Sequence, residues 1–146
     1  MRILGIDYGD RNVGLALSDS LGLTAQPLET YRLLDKEAED AAYFRNLVTR
    51  YDIGEVVLGN PLRMDGTSGT RAEKTRAFAD WLKKAAGIPI VFWDERLTTR
   101  QALGVVHEQK VRQSVRKSVL NQVSAAIILQ SYLDSKRDDA HSRQDR

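Results

Sequence analysis

The sequence contains no cysteine and only two histidines, His107 and His141. The absence of cysteine excludes disulfide bonds and thiolate metal sites, so any metal ion must be held by oxygen atoms or by histidine. No apolar run approaches the length of a membrane span, and the first residues lack the basic, apolar and small-residue regions of a signal peptide. We therefore expect a cytoplasmic protein that has no membrane partner.

The sequence also lacks a large excess of either charge, because 22 Lys and Arg nearly balance 20 Asp and Glu and give a net charge of +2. Hydrophobic residues make up 42% of the chain and charged residues 29%. This balance is typical of a soluble globular protein, and 146 residues suit a single domain. The mild basic excess matters only through its distribution, since cations concentrate in residues 96–117.

The spacing of apolar residues predicts strands first and then helices that alternate with strands. The predicted strands are residues 2–8, 13–19, 23–31, 55–59 and 88–93, and the predicted helices are residues 36–51, 71–86, 98–109 and 119–134. This order predicts an α/β fold, a mixed five-stranded sheet with helices on both faces. We expect one domain over residues 1–134 and a disordered polar tail over residues 135–146.

Three carboxylates fall where predicted strands end. Asp7 lies late in the first strand, and Asp94 and Glu95 end the fifth. Ligands gather beyond the carboxyl ends of parallel strands, and clustered carboxylates favour Mg²⁺ or Mn²⁺. Two such ions could activate water and stabilise the leaving oxygen of a phosphodiester. The glycines that flank Asp7 would leave room for metal and phosphate, while Asp94 and Glu95 could instead pair with Arg96 or cap a helix.

Basic residues surround this predicted edge and suggest contacts with a polyanion. Arg63 and Arg71 flank a glycine-containing loop between a buried strand and a helix, where phosphate binding is common. The candidate nucleic-acid contacts are Arg63, Arg71, Arg96, Arg100, Lys110, Arg112, Arg116 and Lys117. No aromatic residue interleaves with the cations of residues 96–118, so we expect recognition of the nucleic-acid backbone and its shape rather than of bases.

Four stretches of the sequence closely resemble the bacterial YqgF/RuvX family. They are "GIDYGDRNVGLALSD" (residues 5–19), "VVLGNPLRMDGT" (56–67), "DERLTT" (94–99) and "AAIILQSYLD" (125–134). Members are described as pre-16S rRNA nucleases and as Holliday junction resolvase-like proteins. The resemblance implies an RNase H-like fold in which Asp7 is a metal ligand. It also implies that Glu95, ahead of Asp94, supplies the second carboxylate.

One position departs from the family pattern. The family usually has a carboxylate on the last helix, with five residues between it and an Ile-Ile-Leu run, and that position is Asn121 in this chain. Asparagine is neutral and a weaker metal ligand, so Asn121 completes the candidate catalytic set only as a substitute. A weakened nuclease, an engineered inactive form that traps substrate, and a divergent site with other ligands all stay open.

The resemblance favours cleavage of pre-16S rRNA at its 5′ end, with resolution of branched DNA as the alternative. Resolution of a two-fold junction would favour a homodimer, although the sequence contains no clear dimer interface. A nucleic-acid-binding module without catalysis is the other reading that Asn121 supports. An actin-like ATPase is disfavoured, because those proteins need two lobes and this chain has neither the length nor a P-loop motif.

Overall fold

A computed structural model describes residues 1–61, 69–98 and 117–144. The strands are β1 (Arg2–Tyr8), β2 (Asn12–Ser18), β3 (Ala25–Arg32), β4 (Ile53–Asn60) and β5 (Ile90–Asp94). The helices are α1 (Glu37–Arg50), α2 (Thr70–Ala86) and α3 (Lys117–Gln144), and a short 3₁₀ turn spans Glu95–Leu97. No helix within these described ranges is long and apolar enough to cross a membrane.

The five strands form one mixed sheet in the order β3-β2-β1-β4-β5. β2 pairs antiparallel with both β1 and β3, whereas β4 pairs parallel with both β1 and β5. The predicted mixed sheet is therefore confirmed. The carboxyl ends of β1, β4 and β5 meet at one edge, which brings Tyr8, Asn60 and Asp94 to the same end of the sheet.

The two faces of the sheet are covered by different helices. One core cluster packs α1 and α2 on the sheet through residues such as Phe44 and Leu82, which are almost completely buried. The other packs α3 on the opposite face through Ala125, Ile128 and Leu129. The nearly all-apolar stretch of the last helix is thus buried against the sheet, as its composition predicts.

Glycines in β1 and β2 let α3 approach the sheet closely. A Cβ atom on Gly5 would lie 2.7 Å from the Cβ of Leu129, and one on Gly14 would lie 2.9 Å from the Cβ of Asn121. Our expectation that both glycines beside Asp7 leave room for metal and phosphate is wrong for Gly5. Its missing side chain makes space for a helix of the core instead.

The last helix does not end where the sequence pattern loses its apolar residues. It continues to Gln144, so residues 135–144 are helical rather than a disordered tail. Lys136 lies 3.7 Å from Glu55, and Arg137 pairs with Asp134 one turn earlier, so ion pairs support this polar extension. The predicted helix over residues 98–109 lies outside the described residues except for Thr98, which caps the 3₁₀ turn in extended conformation.

Candidate active site

Asp7 is the sixth residue of β1 and lies near the carboxyl edge of the sheet. It pairs directly with Gly14 of β2, so the two residues share a face of the sheet. Gly5 is two residues earlier and contacts α3, which identifies the face as the one that α3 covers. Asp7 is half-buried there, and burial raises the pKa of its carboxyl group.

Glu95 reaches the same face from the end of β5. It is the first residue of the 3₁₀ turn, whose backbone is closed by hydrogen bonds that Thr98 donates to the Glu95 carbonyl oxygen. The Glu95 side chain lies over Gly59 of β4, because a Cβ atom on Gly59 would be 3.0 Å from Glu95 Oε1. The same Cβ would be 2.7 Å from Cδ1 of Ile128 in α3. The Glu95 carboxylate and the Ile128 side chain of the last helix therefore both lie over Gly59.

Asp7 and Glu95 interact electrostatically. Burial, and then the negative charge of Asp7, raise the pKa of Glu95 to about 7. Arg71 in the first turn of α2 opposes both shifts, since its positive charge lowers the pKa of Asp7 and of Glu95. The structure thus brings three of the predicted residues into one charged group, two carboxylates and one guanidinium.

Asn121 of α3 lies above the strand residue that pairs with Asp7. A Cβ atom on Gly14 would overlap the backbone carbonyl of Asn121 and lie 2.9 Å from its Cβ. Since Gly14 and Asp7 are cross-strand partners on this face, the helix places Asn121 at the same corner of the site as Asp7. The position predicted for a third ligand therefore lies near Asp7.

Asp94 has a different role from its neighbour. Its carboxylate accepts a hydrogen bond from the Arg96 backbone N–H at 3.0 Å and pairs with the Arg96 guanidinium at 2.6 Å. These hydrogen bonds to Arg96 lower the pKa of Asp94. Asp94 thus caps the turn that carries Glu95, which is the alternative that the sequence left open for this pair. Asp94 still raises the pKa of Glu95 through its charge.

Of the predicted nucleic-acid contacts, the structure describes the side chains of Arg71 and Arg96 only. Arg71 lies beside the carboxylate pair, and Arg96 is engaged with Asp94. Lys117 begins α3, about one helical turn before Asn121, so its backbone is at the site end of that helix. The remaining candidates lie outside the described residues and are Arg63, Arg100, Lys110, Arg112 and Arg116.

Sequence reasoning missed two residues that shape the site, Gly14 and Gly59. Each provides space on the α3 face, Gly14 for the backbone of Asn121 and Gly59 for the side chain of Glu95. The available signal was a glycine inside an otherwise apolar strand, since such a glycine commonly marks a close approach by another part of the protein. The identity of the approaching residue could not be read from that signal.

The chain is similar to known proteins over almost its full length. A family model described as RuvX, Holliday junction resolvase, matches residues 1–135. A protein of Halothermothrix orenii named "Putative pre-16S rRNA nuclease" is 47% identical over 134 residues, which cover 92% of this chain and 95% of that protein. A protein of the same name from Syntrophus aciditrophicus is 45% identical over 135 residues, covering 92% and 89% of the two chains.

Solved structures of junction resolvases have a similar fold. RuvC of Thermus thermophilus in complex with a Holliday junction substrate superposes with a TM-score of 0.61 at 18% identity, over 94% of this chain and 96% of that chain. The yeast mitochondrial Holliday junction resolvase gives a TM-score of 0.60 at 11% identity, over 97% and 81% of the chains. The fold is therefore RNase H-like, as the sequence resemblance implies. With the family match over nearly the whole chain, we conclude that this protein belongs to the RuvX family.

Proposed function

We propose that this chain is a metal-dependent endonuclease that hydrolyses phosphodiester bonds of precursor 16S rRNA during maturation of its 5′ end. The observation that carries the proposal is the coupled pair Asp7 and Glu95 at the carboxyl edge of the sheet, with Arg71 beside it. Two half-buried carboxylates that repel each other are costly when both are ionised, and a bound cation would relieve that repulsion. A nuclease of this fold needs such a cation at the bond that it cleaves.

The donor set fits a hard divalent cation. Asp7 and Glu95 offer carboxylate oxygens, Asn121 lies over Gly14, the cross-strand partner of Asp7, and the sequence has no cysteine that would favour zinc. We therefore propose that Asp7 and Glu95 hold Mg²⁺ or Mn²⁺. When bound, the ion would neutralise the two carboxylates and supply positive charge for activating water and stabilising the leaving oxygen.

The protein's own residues contribute orientation and attraction. The turn that Asp94 and Thr98 close fixes the backbone of Glu95 at the end of β5. Arg71 lies in the first turn of α2, after the N-cap residue Gly69, which has no side chain to occupy the helix end. A phosphate at this corner would meet both the guanidinium and the helix N-terminus.

Ribosomal RNA is the favoured substrate because the relatives that share almost the full length of this chain are named for it. Branched DNA is the second candidate. It is supported by the description of the family model and by the similar fold of a RuvC bound to a Holliday junction. A junction substrate would call for a homodimer, because its two-fold symmetry presents two equivalent scissile strands.

The test is a cleavage assay with Mn²⁺, an end-labelled RNA that spans the 5′ end of the 16S sequence, and a labelled four-way DNA junction. We expect the RNA to be cut and Asp7→Asn to lose at least about a hundredfold in rate. Asp138→Asn is the matched control, since it removes an exposed carboxylate far along α3. Equal rates for Asp7→Asn and the parent would refute the proposed site, and cleavage of the junction alone would move the assignment to the second candidate.

A further inference from the structure

Asn121 gives the carboxylate pair a neutral neighbour where a third charge would fit. We infer that the site in this chain holds one divalent cation rather than two, and that the carboxamide of Asn121 is what limits both the number of ions and their affinity. The inference rests on the proposed function in taking Asp7 and Glu95 as the metal ligands.

Asn121 lies close to the strand position of Asp7. The α3 backbone at this residue packs directly on Gly14, so no side chain separates the helix from β2. Gly14 is the cross-strand partner of Asp7, and opposite residues of an antiparallel pair have Cβ positions about 5 Å apart. A substituent at residue 121 is consequently a neighbour of the Asp7 carboxylate.

In the part of the chain that the structure describes, the site contains few charged groups. Asp7 and Glu95 contribute two negative charges, and Arg71 contributes one positive charge that acts on both. Over the described residues, no group of three or more His, Asp or Glu side chains could hold a metal ion together. A carboxamide can offer an oxygen to a cation but adds no charge.

The number of carboxylates limits how many divalent cations the site can hold. Each divalent ion brings two positive charges, and the affinity of oxygen sites for such ions rises with the number of charged ligands. Two carboxylates balance one divalent ion, whereas a second ion would leave the site with excess positive charge next to Arg71. A third carboxylate at residue 121 would reduce that excess and would strengthen binding of the first ion.

The experiment measures Mn²⁺ binding by electron paramagnetic resonance and by calorimetry, without nucleic acid. We expect the parent to bind about one ion at this site and Asn121→Asp to bind Mn²⁺ at least about tenfold more tightly. Gln122→Glu is the matched control, because it adds the same charge to the next residue of α3 in a different direction from the helix axis. Equal affinities for Asn121→Asp and the parent would overturn the inference, as would a gain of the same size in Gln122→Glu.

A double variant keeps the test decisive if three metal-free carboxylates prevent Asn121→Asp from folding. Asn121→Asp combined with Glu95→Gln again has two carboxylates, so it should bind Mn²⁺ much more tightly than Glu95→Gln alone. Equal affinities of these two variants would overturn the inference. Failure of the proposed function has a separate signature, since Asp7→Asn would then leave the Mn²⁺ affinity of the parent unchanged.

Discussion

At the scale of the residue, the site depends on one carboxylate that is held in an unfavourable environment. The Glu95 side chain lies over Gly59, and burial together with the negative charge of Asp7 raises the pKa of Glu95 to about 7. The positive charge of Arg71 lowers the pKa of Glu95 but does not offset the burial and the repulsion by Asp7. A carboxylate whose pKa is raised in this way is typical of a functional site.

The shifted pKa of Glu95 makes the stability of the metal-free protein depend on pH. Because the folded pKa is raised from 4.5 to about 7, the folded state holds this proton more tightly than the unfolded chain does. The resulting stability is full below pH 4.5 and is lost as the pH rises through about 7. In EDTA, Glu95→Gln should therefore gain on the parent by on the order of 2 kcal/mol between acidic and mildly alkaline pH.

Chemical denaturation of both proteins across this pH range is the measurement. Glu73→Gln, which removes an exposed glutamate from the first turn of α2, controls for the loss of a charge. A constant difference between Glu95→Gln and the parent at every pH would contradict the assigned environment of Glu95.

At the scale of the element, the position of α3 on the sheet determines which residues meet. Gly5 and Gly14 remove the side chains that would keep the helix away, and Leu129 and Asn121 occupy the space. The same contact buries the apolar stretch of α3 and brings residue 121 to Asp7. The packing of α3 on the sheet therefore also determines which of its residues lie at the site.

Gly14→Ala should separate the helix from the site. Its new Cβ would overlap the Asn121 backbone, which cannot rotate away as a flexible side chain can, so we expect a loss of about 1–3 kcal/mol in the free energy of unfolding. Gly54→Ala is the matched control in β4, where the new Cβ would meet only the flexible Met1 side chain. Thermal or urea denaturation measures both, and equal stabilities of the two variants would show that α3 does not pack on Gly14 as described.

The elements themselves could largely be predicted from the sequence. The apolar run Val56-Val57-Leu58 indicates a strand buried on both faces, and the core of the last helix is evident from its apolar composition. The end of that helix was not predictable, because residues 135–144 contain a single small apolar residue, Ala140, and the ion pair of Lys136 with Glu55 supports the start of the extension. A contact between two residues so far apart along the chain has no local signal.

The site was only partly predictable for a similar reason. Asp7 could be located because strand ends of a parallel sheet meet at one edge. The resemblance favours Glu95 over Asp94, but strand alternation could not predict their different surroundings, because the alternation stops where the 3₁₀ turn begins at Glu95. The proximity of Asn121 to Asp7 depends on how α3 crosses the sheet, which no periodicity in the sequence specifies.

At the scale of the whole molecule, charge is arranged around one edge of the sheet. Asp7 and Glu95 are negative there, and Arg71 at the start of α2 is positive. In the proposed function, a nucleic acid at this edge would contact Arg71 while its scissile phosphate lies at the metal site that we assign to Asp7 and Glu95. The net charge of the chain is only +2, so the protein surface as a whole attracts a nucleic acid weakly. The attraction must therefore come from local basic groups such as Arg71.

The salt dependence of RNA binding should reveal the contribution of Arg71. If Arg71 contacts one phosphate, Arg71→Ala lowers the slope of log affinity against log salt by roughly one. Lys84→Ala is the control, because Lys84 is an exposed cation in the last turns of the same helix, away from the site. Fluorescence anisotropy at several salt concentrations with the Asp7→Asn background, which prevents cleavage, is the measurement, and identical slopes for Arg71→Ala and the parent would contradict the contact.

The most direct test of the account is the position of a bound cation. Crystals grown with Mn²⁺ should give an anomalous difference peak in contact with carboxylate oxygens of both Asp7 and Glu95, and Asp94 should keep its ion pair with Arg96. A peak on Asp94 instead, or Mn²⁺ bound to neither Asp7 nor Glu95, would contradict the assignment of this pair as the centre of the nuclease.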